Sequence, residues 1–159
     1  MEGKHLEENM TPATANLVDS CNNLALRKAA RYIGATYDKA LSPVGLRGTQ
    51  FSILQKLNGQ GEMTISALAE TIAMDRTTMA SNLKPLAREG LVTVERSEAD
   101  RRARIVTITP EGRARMRAAT PLWKAVQERF EDSFGAEEAA RLRVSLEAVL
   151  GTGFQPWAE

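Results

Sequence analysis

The sequence predicts a mainly α-helical fold with a small β-hairpin wing. Apolar residues recur at helical spacing over most of the chain, as Leu26, Ala30 and Ile33 do. Two β-branched runs, LVTVER and RIVTIT, interrupt that pattern, and only seven residues separate them. A chain of 159 residues is long enough for one domain with a substantial core but short for two. We therefore expect a single domain over residues 1–159.

The composition excludes several kinds of chemistry. A single cysteine, Cys21, cannot form an internal disulfide and fits a reducing compartment. No apolar run approaches the roughly 18 residues of a membrane span, and the first residues lack the apolar core of a signal peptide. One histidine and the absence of nucleotide-binding or nucleophile motifs argue against catalytic, metal and cofactor sites. We expect a cytoplasmic protein that is not an enzyme, has no cofactor and binds no membrane.

Positive charge is concentrated in the middle of the chain. The net charge is only +1, yet residues 76–117 hold ten basic and five acidic side chains. Residues 118–159 hold four basic and seven acidic side chains. An ordinary solvated surface would mix the two signs more evenly, so the central segment indicates a surface for a polyanion.

A long first helix is predicted over residues 12–41. Two adjacent apolar stripes follow it, one through Leu26 and the other through Cys21, and together they make a broad apolar surface. The helix should end before Pro43, because the residue preceding a proline is held out of the helical region. So wide an apolar surface indicates contact with more than one neighbouring helix.

Three shorter helices follow the first. Residues 47–58 place Phe51, Leu54 and Leu57 on one face, and GQGE reads as a turn after them. Thr64 can cap the helix ISALAETIA. Asp75 can cap the next helix, RTTMASNLKPLARE, which ends before a glycine.

The two β-branched runs predict a hairpin at residues 91–96 and 104–109, joined by the loop SEADRRA. Thr109 followed by Pro110 is a strong helix start. The helix that begins there should run to about Phe134, and a last helix should cover residues 136–150.

The order of these elements is that of a winged helix-turn-helix. In such a motif the second helix enters the major groove of DNA and reads base edges with its N-terminal residues. Arg, Asn, Thr and Ser side chains can make those hydrogen bonds. The residues predicted to contact DNA from this helix are Arg76, Thr77, Thr78, Ser81, Asn82 and Lys84. The predicted partner is double-stranded DNA.

The hairpin loop carries arginines that can reach the adjacent minor groove or its phosphates. Arg101 and Arg102 are the predicted DNA-facing pair, whereas Arg96 and Arg104 line the strand ends. We expect three further arginines, at positions 113, 115 and 117, to be solvated.

Three stretches resemble the MarR family of bacterial transcriptional regulators: LRGTQFSILQKL, TISALAETIAMDRTTMASNLKPLAREGLV and RSEADRRARIVTITPEG. The resemblance extends from about Leu17 to Leu150. It implies an obligate homodimer in which the terminal helices of both chains interleave, over residues 12–45 and 118–155. Residues 46–117 would form the DNA-binding lobe, and two wings would straddle a pseudo-palindromic operator.

The resemblance also implies roles in the wing. Asp100 would hold the wing arginines in position, and Arg101 and Arg102 would lie at the DNA. The first wing position, where Asp is common in the family, is Ser97 in this chain. Glu98 could take over the ion pair at the base of the wing.

Two ways of controlling DNA binding remain open. The resemblance implies a repressor released by a small, often aromatic or anionic, ligand, and Arg31, Tyr32 and Phe51 are candidate contacts. One branch of the family instead senses organic peroxides through a first-helix cysteine, which makes Cys21 a candidate redox sensor. A lone cysteine on an apolar stripe is more often a small core residue. A winged helix that binds protein is a further alternative, but it has no need of a basic central lobe.

Overall fold

The computed structural model describes residues 20–154, which form a mainly helical fold with a three-stranded antiparallel sheet, as predicted. In chain order the elements are α1 (Asn22–Leu41), a 3-10 helix (Ser42–Val44), α2 (Gly48–Gln60), β1 (Met63–Thr64), α3 (Ile65–Thr71), α4 (Arg76–Arg88), β2 (Val92–Arg96), β3 (Arg104–Ile108), α5 (Pro110–Phe134) and α6 (Ala136–Leu150). None of the helices in this range is long and apolar enough to cross a membrane.

The chain divides into two compact units after Ala35, within α1. In the first unit, α1 begins at Asn22, and the predicted start at residue 12 lies outside the described residues. Cys21 directly precedes the helix, and its carbonyl accepts the N–H of Ala25 at 3.0 Å. Cys21 therefore lies at the N-terminal end of α1.

In the second unit, the last turn of α1 is tied to the start of α2. Asp38 Oδ1 accepts the N–H of Gly48 at 2.8 Å, and the chain reverses at Gly45, whose φ is +70°. α2 extends to Gln60, so the predicted turn GQGE is wrong for its first two residues. Gly61, with φ +83°, ends the helix.

Both predicted caps of the central helices are confirmed. Thr64 Oγ1 accepts the N–H of Ala67 at 3.1 Å at the start of α3, and Asp75 Oδ1 accepts the N–H of Thr78 at 2.9 Å at the start of α4. These side chains satisfy N–H groups that have no partner within the helix. α4 ends, as predicted, before a glycine: Gly90 has the left-handed φ of +71°.

The predicted hairpin is confirmed, and its register pairs Val92 with Ile108 and Val94 with Val106. The sheet also contains β1, which pairs with β3 through Met63 and Val106. A strand of two residues has no periodicity of its own, so the sequence pattern did not reveal it. The strand order is β1-β3-β2.

The start of α5 is packed tightly against the start of the wing. Thr109 caps the helix by accepting the N–H of Gly112 at 3.0 Å, and its own hydroxyl donates to the Gly90 carbonyl at 2.6 Å. A Cβ on Gly112 would lie 2.1 Å from the Leu91 carbonyl oxygen. Only glycine permits this approach, which fixes the wing strands relative to α5.

The hydrophobic core of the second unit lies between α2, α3, α4, the sheet and the first half of α5. Leu54, Leu68, Met79 and Val106 are completely buried there. α6 packs on α5, and its Ala139 is buried, whereas most of the apolar side chains of α6 remain exposed. Its leucine at position 150 remains exposed, so α6 contributes little to the core of one chain.

Candidate nucleic-acid interface

The N-terminal half of α4 presents polar and basic side chains to solvent. Arg76, Thr77 and Lys84 are exposed, and within the described residues their side chains form no ion pair or hydrogen bond. Met79 and Leu83, which are buried, hold the opposite face of the helix against the core. The arrangement leaves three donor groups free to bind a partner.

The other predicted base-contacting side chains already have intramolecular partners. The Thr78 hydroxyl donates to Asp75 Oδ2 at 2.5 Å, and the Ser81 hydroxyl donates to the Thr77 carbonyl at 3.1 Å. Asn82 Nδ2 donates to the Thr78 carbonyl at 2.9 Å and is half-buried. Each of these groups keeps an acceptor oxygen for a further contact, but none has all of its hydrogen-bonding capacity available.

Asp75 is negatively charged at the N-terminus of this helix. Hydrogen bonds from the Thr78 hydroxyl and then from the Thr78 N–H hold the pKa of the Asp75 carboxyl below its ordinary value. The ionised carboxylate accepts an N–H group that has no partner within the helix, and its negative charge interacts favourably with the positive end of the helix dipole. It thereby fixes the direction in which the first turn of α4 points.

A network of backbone hydrogen bonds shapes the wing tip. Asp100 Oδ1 accepts the backbone N–H of Arg102 at 2.9 Å, and the Asp100 N–H donates to Ser97 Oγ at 3.2 Å. The Ala103 N–H donates to the Asp100 carbonyl at 2.9 Å. Asp100 and Ser97 therefore close the loop from opposite sides, and both guanidinium groups, of Arg101 and Arg102, remain exposed.

Asp100 thus positions the chain that carries the arginines, and among residues 20–154 it forms no ion pair with a guanidinium group. Within the described residues, Glu98 forms no ion pair either, and Ser97 supports the loop through its hydroxyl. Arg96 and Arg104 face each other as the last pair of the hairpin, at the strand ends, as predicted.

The expectation that Arg115 is solvated is wrong. Its guanidinium lies 3.5 Å from Glu89 Oε2 and 3.5 Å from Glu111 Oε1, and it donates to the Val44 carbonyl at 3.3 Å. It therefore links α5 to the end of α4 and to the 3-10 helix. Arg113 also has a partner, Asn58 Oδ1, at 3.2 Å. Only Glu111, four residues before Arg115, is an ion-pair partner that the sequence could have revealed.

A second polar network was not predicted. Tyr37 Oη donates to Gln127 Oε1 at 2.7 Å, Gln127 Nε2 donates to Glu131 Oε1 at 3.0 Å, and Arg143 Nη1 donates to the same oxygen at 3.1 Å. Burial, and then the nearby Glu131 charge, raise the pKa of Tyr37 above its ordinary value. The chain of contacts joins the last turn of α1, α5 and α6.

The predicted ligand contacts belong to two different compact units of the chain. Phe51 is buried in the core, where its ring stacks on that of Trp123 with centroids 6.0 Å apart. Arg31 and Tyr32 belong to the first unit. Among residues 20–154, no group of three or more His, Cys, Asp or Glu side chains is placed to hold a metal ion.

Known proteins are similar to this chain in sequence and in fold. A family model described as the MarR family matches residues 46–103. The transcriptional regulator HosA of Escherichia coli is 32% identical over 89 residues, which cover 56% of this chain and 66% of HosA, just under two thirds of its length. The M. tuberculosis transcriptional regulator MosR, solved in complex with DNA, is 38% identical with a TM-score of 0.69, covering 81% of this chain and 98% of MosR.

A third protein resembles the chain at lower identity. Bordetella bronchiseptica BpsR, whose DNA binding is regulated by 6-hydroxynicotinic acid, is 25% identical with a TM-score of 0.69, over 82% of this chain and 94% of BpsR. The family match covers α2, α3, α4 and the wing loop, and the similarity to MosR extends over nearly its whole length. The chain therefore belongs to the MarR family, a non-enzymatic class of transcriptional regulators.

Proposed function

We propose that this chain binds double-stranded DNA as a homodimer at a pseudo-palindromic operator. The observation that carries the proposal is the pairing of a rigidly capped helix that exposes Arg76, Thr77 and Lys84 with a wing that exposes Arg101 and Arg102. Free donors on a helix suit base edges and phosphates in the major groove, and wing arginines suit the minor groove. The complex of the relative MosR with DNA supports the same assignment.

Apolar surface on the C-terminal helices supports the homodimer. Four large apolar side chains of α5 and α6 are strongly exposed: Phe134 at 49%, Val144 at 71%, Val149 at 49% and Leu150 at 60%. Clustered apolar surface of this kind marks an interaction site in a folded protein. In the proposed dimer, residues 12–45 and 118–155 form the interface and residues 46–117 form the DNA-binding lobe.

We further propose that the dimer represses transcription and that a small aromatic or anionic ligand releases it. The two recognition helices of a dimer must match successive major grooves about 34–36 Å apart. A ligand that binds better to another spacing lowers operator affinity, and differential affinity for the two states is all that is required. Regulation of BpsR by 6-hydroxynicotinic acid supports this class of effector. Arg31 and Tyr32 stay predicted ligand contacts. Phe51 is buried against Trp123, so its main role is in the hydrophobic core.

One observation favours a second form of control. Cys21 lies directly before α1 and is partly exposed, and accessible cysteines at helix N-termini are a typical setting for oxidation. In this form an organic hydroperoxide oxidises the thiol to a sulfenic acid and is itself reduced to an alcohol. Hydroperoxide should then release DNA from the native protein and not from Cys21→Ser, whereas release of both proteins would exclude the thiol.

Binding to duplexes at several salt concentrations tests the main proposal. The operator is first selected from a random pool of duplexes. The logarithm of the protein's affinity for it should fall linearly with the logarithm of the salt concentration, with a slope of about −0.9 for each phosphate contact. Arg102→Ala should weaken binding to the operator and to random duplex alike and reduce that slope. Absence of duplex binding at low salt would contradict the proposal and favour a protein-binding winged helix.

A further inference from the structure

An open groove of about 930 Å³ separates the start of α2 from α4. The C-terminal turn of α1 and the chain around Gly45 close one end of it. The polar side chains of its walls are Asp38, Ser42, Arg47, Thr49 and Gln50 on one side and Ser81, Asn82, Arg88 and Glu89 on the other. The groove is therefore polar, and its lining contains two carboxylates and two guanidinium groups.

The two carboxylates of the groove already have partners. Asp38 Oδ1 accepts the N–H of Gly48 at 2.8 Å, and Glu89 Oε2 lies 3.5 Å from Arg115 Nη1. By contrast, in the described part of the chain neither Arg47 nor Arg88 forms an ion pair or a side-chain hydrogen bond. Among the described residues, the two guanidinium groups are therefore the charged groups of the groove that remain without a partner and available to a ligand.

Arg47 is held in place through its backbone. Its N–H donates to Gln50 Oε1 at 2.9 Å, and its carbonyl accepts the N–H of Phe51 at 2.9 Å. Because the backbone is fixed at the first turn of α2, the exposed guanidinium extends from a rigid point. Rigid placement lowers the entropy that is lost when the side chain binds.

The groove borders the recognition face of α4. Thr77, Ser81, Lys84 and Arg88 lie three or four residues apart, so they form one exposed stripe along the helix. Ser81 and Arg88 belong both to this stripe and to the wall of the groove. A DNA strand that follows the stripe therefore passes along the mouth of the groove, with Arg47 on the opposite wall.

We propose that this groove receives a phosphate of the DNA backbone, which Arg47 and Arg88 bind from opposite walls. The contact fixes the position of α4 along the duplex and carries no sequence information of its own. Guanidinium groups suit this role because their planar array of donors matches phosphate oxygens. This proposal rests on the proposed function and adds two binding residues that the sequence pattern did not indicate.

The test replaces each arginine with glutamine in the full-length chain and measures affinity for the selected operator and for random duplex over a range of salt. The slope of log affinity against log salt concentration should become shallower by about 0.9 for each contact removed. A contact of this kind accounts for about an eightfold change in affinity over a tenfold change in salt concentration. The loss should be equal on both duplexes, and Arg47→Lys and Arg88→Lys should restore much of it.

Lys56→Gln is the matched control, because Lys56 is exposed on α2, does not line the groove and carries the same charge. An equal loss in this control would show that net charge alone matters and would overturn the proposal. Unchanged binding by Arg47→Gln and Arg88→Gln, with binding weakened by Arg102→Ala, would overturn it and leave the proposed function intact. Variants that bind DNA normally but lose stabilisation by inorganic phosphate would assign the groove to a free anion and equally overturn the proposal.

Discussion

Single side chains divide the recognition surface into groups that build it and groups that are available to bind. Asp75 and Asp100 use their carboxylates to hold backbone N–H groups at the start of α4 and at the wing tip. Thr78 and Asn82 are likewise engaged within the helix. Arg76 has no such engagement among residues 20–154, and in the proposed complex we expect it to read a base.

Arg76→Ala should therefore relax sequence preference. A bidentate contact between arginine and guanine contributes about 1–3 kcal/mol of discrimination between bases. We expect affinity for the selected operator to fall by that amount and affinity for random duplex to fall much less. Quantitative binding to the operator and to its single-base variants measures the difference. An equal loss on all duplexes would instead assign Arg76 to a phosphate.

At the scale of the elements, short-range contacts fix how the wing meets α5. Thr109 caps α5 and also donates to the Gly90 carbonyl, while Gly112 lets the helix approach Leu91. The same segment is thus a helix start and an anchor for β2. A change in this segment affects the wing without touching its arginines.

Gly112→Ala should destabilise the protein because its Cβ would overlap the Leu91 carbonyl oxygen. Overpacking of this kind typically costs about 1–3 kcal/mol. Gly59→Ala is the matched control, since Gly59 lies within α2 and a Cβ there meets no atom within 4 Å. That control should stabilise the helix by about 0.5–1 kcal/mol. Urea unfolding of both variants measures the two effects, and equal stabilities would contradict the packing argument.

At the scale of the whole molecule, charge and apolar surface lie in different parts of the chain. Residues 76–117 carry a local excess of five positive charges, and residues 118–159 carry an excess of three negative charges. The exposed apolar side chains of α5 and α6 belong to the second segment. This separation suits the proposed dimer, in which the apolar side chains of α5 and α6 form the interface and the basic lobes bind the nucleic acid.

Val144→Glu together with Leu150→Glu should convert the proposed dimer to a monomer, because a charge cannot be buried unpaired in an apolar interface. Operator affinity should fall steeply, since a monomer holds only one half-site. Ser145→Glu, on the polar side of the same helix, should leave the dimer intact. Sedimentation equilibrium measures the oligomeric state, and an unchanged mass of the double variant would exclude this interface.

Features that depend on neighbouring residues were predictable from the sequence. The caps Thr64, Asp75 and Thr109, the limits of α5 and α6, and the wing loop were all predicted correctly. Helix caps act within three residues, and a hairpin pairs strands that are close in the chain. Local chemistry therefore suffices for them, and with the basic central segment it indicates the class of partner.

Contacts between distant residues were decided only by the tertiary structure. Tyr37 donates a hydrogen bond to Gln127, 90 positions away, and Arg115 donates one to the Val44 carbonyl, 71 positions away. The strand β1 pairs with β3, although α3, α4 and β2 lie between them in the chain. Such pairs leave no periodic trace in the sequence, because nothing near one partner in the chain marks the position of the other. The sequence by itself determined the order of the elements, their caps and the arginine-rich wing. Packing decided which of those polar groups support the structure and which stay free to bind, because a hydrogen bond formed inside the protein removes that donor from the surface.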